Sequence, residues 1–126
     1  MKNKIEYVME KIKKGEFTIL PDYIAIGKVY KISNFGVLEQ DGIESGFLFI
    51  PKGSGIKEHY HVNDIEFYNL VCGSLSVCGK EQDSNICLIG QKHNIDIVDE
   101  NTIIETKKIS KNKIIDDFWS YKKKLK

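Results

Sequence analysis

Apolar residues recur along this chain with two different periods. Ile5, Val8, Met9 and Ile12 fall on one face of a 3.6-residue helix, and Gly15 stands where such a helix would stop. The spacing predicts a short amphipathic helix over residues 4–14. From Phe17 to Ser110 the pattern shortens. Runs rich in β-branched and aromatic residues lie near 23–30, 34–39, 45–51, 56–61, 66–72, 74–78, 85–89, 94–98 and 102–109. Between them fall breaks such as Asp41-Gly42, Lys52-Gly53-Ser54-Gly55, Asn63-Asp64, Gly79 through Ser84 and Asp99-Glu100-Asn101. Many short strands at such spacing predict an all-β sandwich or barrel over about residues 17–110. Cys72-Gly73 has the make-up of a two-residue hairpin turn, with glycine supplying φ > 0. Beyond Ser110, Ile114, Ile115, Phe118, Trp119 and Lys122 share one stripe, which predicts a second helix over about 112–124. No linker or internal repeat interrupts the pattern, so residues 1–126 are read as a single domain.

Composition narrows the class. The chain is 41% hydrophobic and 29% charged, with a formal net charge of +1, so bulk charge gives no reason to expect nucleic acid or an anionic membrane. The lysines of Lys122-Lys123-Lys124-Leu125-Lys126 read as a solvated helix end. No apolar run approaches the roughly 20 residues of a membrane span, and no signal-peptide pattern opens the chain. Cys72, Cys78 and Cys87 make an odd count without a C-x-x-C pair, which points to reduced thiols and a cytoplasmic protein, and their strand-like apolar runs make them small core or interface residues. Phe47-Leu48-Phe49-Ile50 and Phe67-Tyr68-Asn69-Leu70-Val71 are apolar on both faces. Such strands are buried on both sides, so beyond the barrel interior they need an outer cover, in part a second copy in a homodimer.

The chemistry concentrates on the three histidines. His59 and His61 are one residue apart, so on a strand both imidazoles face the same way, about 6–7 Å apart. They can converge on one ion. Glu66 begins the returning strand and can reach that ion, and His93 arrives from a later strand after Gly90-Gln91-Lys92. Three imidazoles and a carboxylate form a mixed N/O set suited to one divalent ion of Fe, Mn, Ni, Co or Zn, with positions left open for water, O₂ or substrate. Alternation places Lys57 and Tyr68 on the inner face as well. Tyr68 is a candidate catalytic acid or donor to an oxyanion, against a tyrosine that only packs. Lys57 is a candidate partner for a substrate anion, and Glu105 and Lys107 on the last strand share that ambiguity.

The stretch Gly53-x5-His59-x-His61-x4-Glu66-x6-Gly73 resembles the first motif of the cupin family at every defined position. Gly90-x2-His93 resembles the second motif in part. Leu88 stands where that motif has proline, Gln82 where it opens with glycine and Ile97 where it closes with asparagine. The resemblance covers about residues 45–110. It implies a double-stranded β-helix, or jelly-roll barrel, with a metal on His59, His61, Glu66 and His93. It also implies a metal-dependent enzyme on a small oxygen-rich molecule, of dioxygenase, isomerase or lyase type. The alternative is a non-catalytic module that binds a metal or small ligand. A regulator's sensory domain is disfavoured, since no helix-turn-helix segment accompanies the barrel.

Overall fold

The computed structural model describes residues 3–30, 42–60 and 64–110. It opens with α1 (Lys4–Lys13). Asn3 caps this helix reciprocally. Its side-chain oxygen accepts from the Glu6 amide at 2.8 Å, and its amide nitrogen donates to the Glu6 carboxylate at 3.2 Å. Gly15, at φ 75°, turns the chain away after the last turn. Lys4 Nζ lies 2.8 Å from Glu105 Oε1 and ties the helix to the last strand.

Ten strands follow among the described residues: β1 (Thr18–Leu20), β2 (Tyr23–Tyr30), β3 (Gly42–Ile50), β4 (Ile56–His59), β5 (Asp64–Cys72), β6 (Ser76–Val77), β7 (Lys80–Glu81), β8 (Ser84–Cys87), β9 (His93–Ile95) and β10 (Thr102–Ser110). Their pairing is nested. β3 pairs β10, β4 pairs β9, β5 pairs β8 and β6 pairs β7, all antiparallel. The segment from β3 to β10 is therefore one long two-stranded ribbon whose tip is β6–β7. Winding the ribbon brings β10 beside β5 and β9 beside β6. The result is two facing antiparallel sheets, in the orders β1-β2-β3-β10-β5-β8 and β4-β9-β6-β7. This is a double-stranded β-helix, an all-β jelly-roll barrel.

Strand alternation decides what each face buries. Tyr23, Ala25, Leu48, Ile50, Ile56, Tyr68, Leu75, Val77, Ile95 and Ile104 fill the interior between the sheets. On the outer face of the larger sheet, Ile26 and Ile103 are buried under Val8 of α1, with Phe47, Phe49 and Val71 packed around them. The second apolar face predicted for β3 and β5 is thus covered at least in part by the chain's own first helix. The predicted strand at 34–39 and the predicted helix at 112–124 lie outside the described residues.

The tight turn is not where the sequence placed it. Gly73 does take φ 93°, but β5 and β6 belong to different sheets, so residues 73–75 carry the chain across the barrel. The two-residue hairpin turn is Cys78-Gly79, which joins β6 to β7 with Val77 opposite Lys80. Both turn residues have positive φ, 52° at Cys78 and 81° at Gly79. That is the type I′ geometry, which matches the twist of the flanking strands. Cysteine is a poor residue for this position, which is why the turn was not legible. Cys78→Asn should relieve the strain and raise stability by about 0.5–1 kcal/mol, a melting increase of roughly 2–5 °C by calorimetry. An unchanged or lower melting temperature would show that Cys78 is held there by something other than the turn.

Candidate metal centre

β4 and β9 belong to the smaller sheet and sit antiparallel with His59 directly opposite His93. Across the interior, β5 of the larger sheet presents Glu66. All three side chains are buried, and each offers one ligand atom within 4.8 Å of the others. The two imidazole centroids are 4.2 Å apart in an edge-on arrangement. The structure therefore brings together three of the four predicted ligands. His61 lies outside the described residues.

Backbone carbonyls orient both rings. His59 Nδ1 is 2.8 Å from the Lys57 carbonyl oxygen, and His93 Nδ1 is 3.1 Å from that of Gln91. A carbonyl only accepts, so each Nδ1 carries the proton and donates it. In the neutral form of each ring this places the lone pair on Nε2, the arrangement that second-sphere carbonyls impose on metal-binding histidines. His93 Nε2 then faces Glu66 Oε1 at 3.2 Å. Two lone pairs at that distance repel unless a proton or a cation lies between them.

Glu66 is held on its other oxygen as well. Thr106 Oγ1 donates to Oε2 at 3.3 Å, and Lys108 Nζ lies 3.7 Å from the same atom. Tyr68 lies beside the same carboxylate, and its ring centroid is 6.1 Å from that of His93. Burial and the adjacent Glu66 charge push the Tyr68 hydroxyl well above the ordinary tyrosine range, so it stays protonated. Cys87, opposite Glu66 on β8, is pushed up to about 12, first by burial and then by the same carboxylate. It is a buried neutral thiol and not a member of the ligand cluster.

Three sequence expectations need correction. Lys57 is exposed rather than inward, because a register irregularity between Ile56 and His59 breaks the alternation of β4. Its contribution is its carbonyl, which orients His59. Cys78 is an exposed turn residue and not a core or interface thiol. On β10, Glu105 and Lys107 point outward, while Thr106 and Lys108 face the interior. Lys108 is the site residue that the sequence did not reveal. β10 carries isoleucines in both phases, at Ile103, Ile104 and Ile109, so periodicity does not say which phase is inner. The pairing of Lys108 with Glu66 across β10–β5 decides it.

No protein-family model matches the chain, and no curated protein matches it. Among solved structures the chain is similar to a predicted oxalate decarboxylase from Thermotoga maritima, with 17% identity over 66% of this chain and 92% of that one, at a TM-score of 0.47. It is also similar to KdgF from Halomonas sp., with 10% identity over 75% of this chain and 86% of that one, at a TM-score of 0.46.

Proposed function

We propose that this barrel is a metal-dependent enzyme acting on a small oxygen-rich molecule, with a divalent ion held by His59, Glu66 and His93 and by His61 as a fourth ligand. The observation that supports it best is the facing pair of Glu66 Oε1 and His93 Nε2, 3.2 Å apart inside the barrel, with His93 Nδ1 directed at the Gln91 carbonyl. A divalent ion of the Fe, Mn, Ni, Co or Zn group satisfies both lone pairs at once, and the N/O donor set suits those metals. When bound, the ion supplies a Lewis acid that polarises a substrate carbonyl.

The chain's own residues supply the rest. The carbonyls of Lys57 and Gln91 fix the imidazole tautomers. Thr106 holds the Glu66 carboxylate in one orientation. Tyr68, kept protonated, is the group able to donate to an oxyanion that develops beside Glu66. Within the same reading the working unit is a cytoplasmic homodimer, in which the second copy covers outer sheet surface that α1 leaves open.

The test is elemental analysis of the purified protein, then loading in turn with Fe(II), Mn(II), Ni(II) and Zn(II). Each loaded form is assayed for oxygen uptake, isomerisation of simple sugars and lyase activity. About one ion per chain is expected, with turnover in one assay that falls at least tenfold in Tyr68→Phe. One ion per chain without turnover would leave a non-catalytic binding module. A protein that takes up no ion would defeat the reading. Light scattering at micromolar concentration decides between dimer and monomer.

A further inference from the structure

The outer face of the larger sheet is wider than α1 can cover. A helix with its side chains is about 10 Å across and strands lie about 4.8 Å apart, so one helix shields roughly two strands. This sheet has six. α1 seats Val8 on Ile26 and Ile103, and its Tyr7 ring lies 5.7 Å from that of Phe47. At Glu105, 2.8 Å from Lys4 Nζ, a groove of about 620 Å³ begins, and its other walls include Gly46, Phe67, Asn69, Lys107 and Ile109.

Away from α1 this surface is apolar. The register aligns Lys107, Phe67 and Ile86 in one row and pairs Ile109 with Ile65 in another. Glu66 and Lys108 are buried inside the barrel, so alternation points both rows outward. Ile86 is 55% exposed, and Leu88, two residues on, is 56% exposed. β8, which carries Ile86, is the edge strand of its sheet. An apolar row that runs out to a sheet edge is a surface fit for docking.

The chain carries its own occupant. β10 ends at Ser110, directly after Ile109 of the groove. Residues 111–126 follow, and the sequence predicts a helix over 112–124 with Ile114, Ile115, Phe118 and Trp119 on one stripe. Such a helix is about 20 Å long at 1.5 Å per residue. The path from β3 over β10 and β5 to β8 is about 14 Å. Tethered beside the groove, this stripe has a high effective concentration there, whereas a separate molecule must first lose its translational freedom. We propose that residues 111–126 fold back and seat Ile114, Ile115, Phe118 and Trp119 in this groove, on the outer side of the strands that carry Glu66 and Lys108. The inference stands apart from the metal reading. It leaves a second copy the opposite edge of the sheet, where Ile19 of β1 is 75% exposed.

Trp119 is the only tryptophan in the chain, so intrinsic fluorescence of the full-length protein reports its seating. In the folded protein its emission should be blue-shifted from that of the urea-unfolded chain. Phe67→Lys and Ile86→Lys should shift it back to the red, with the strands intact by circular dichroism. Ile97→Lys, at a residue 75% exposed beyond β9 of the smaller sheet, should leave it unchanged. If Phe67→Lys fails to fold, Ile86→Lys decides alone. A wild-type emission as red as that of the unfolded chain overturns the proposal. So does a blue-shifted emission that ignores the groove substitutions, which would place the segment elsewhere. The last arm refolds Ile86→Lys together with an excess of Trp119→Phe chains, whose grooves are intact. Own-chain seating leaves the emission red, while recovery of the blue shift would mean that the segment docks on a second copy and the proposal is wrong.

Discussion

His93→Ala should abolish most of the stabilisation that a divalent ion gives this protein. An ion that binds only the folded state adds RT ln(1 + [L]/Kd), about 2.7 kcal/mol when free ion exceeds Kd a hundredfold. For a domain of this size the wild-type melting temperature should rise by roughly 10 °C on loading. The nested ribbon explains why His93 matters most. Glu66 lies on the larger sheet and His93 on the smaller, so an ion bonded to both ties the two sheets together across the interior. In His93→Ala the shift should fall to roughly 3 °C or less. The metal-free variant will itself melt lower, because the ring packs on His59 and Tyr68 inside the barrel. The informative quantity is therefore the difference between loaded and metal-free protein for the same variant, from which that folding cost cancels. Glu66→Gln should lose less of the shift, since the amide oxygen in the Oε1 position still coordinates, while its NH2 replaces the oxygen that accepted from Thr106. A full shift in His93→Ala would mean that the ion sits on His59, His61 and Glu66 alone.

The contrast between ligands and their surroundings shows what a sequence of this kind carries. His59, Glu66 and His93 were legible because metal ligation demands particular residue types at particular spacings. The barrel was legible because its core strands alternate and its turns are marked by glycine and aspartate. What was not legible depends on pairing. Counting back from His59 points Lys57 inward, and an irregularity at Ile56–His59 turns it outward. Lys108 does not stand out in the sequence because its strand is apolar in both phases, and only the register against β5 places it beside Glu66. The ribbon's tip carries no clear sequence signal because its turn uses Cys78 at φ 52° rather than asparagine. The first two concern interactions between segments distant in sequence, which local periodicity does not encode, and the third is a local turn built on a residue that does not announce one.

Gly73→Ala should destabilise the protein severely and yet leave metal binding intact. Gly73 sits at φ 93°, where an L side chain is strained. Strain alone would cost about 1–2 kcal/mol. Space is the larger problem. A Cβ at this position would lie 2.7 Å from the Asn101 carbonyl oxygen and 2.7 Å from Thr102 Cα, both backbone atoms, and would also strike Thr102 Oγ1. Backbone cannot rotate away as the end of a flexible side chain can. Thr102 is moreover pinned, since its hydroxyl accepts from the Ser74 amide at 3.1 Å and donates at 3.0 Å to the Glu100 carbonyl. Relieving the overlap means pushing apart β10 and the crossing from β5 to β6, with loss of those bonds. The combined cost should be about 3–5 kcal/mol, or a fall of roughly 10–20 °C in melting temperature. Glu66 lies seven positions back along β5, roughly 23 Å away at about 3.3 Å per residue. The damage is therefore at the far end of the strand from the candidate ligands. Below its own melting transition, Gly73→Ala should take up one ion per chain and show the same metal-induced shift as the wild type. That pairing, low stability with a full shift, is the opposite of the His93→Ala signature. A Gly73→Ala protein as stable as the wild type would mean that the β5–β6 crossing yields more easily than its packing against Thr102 implies.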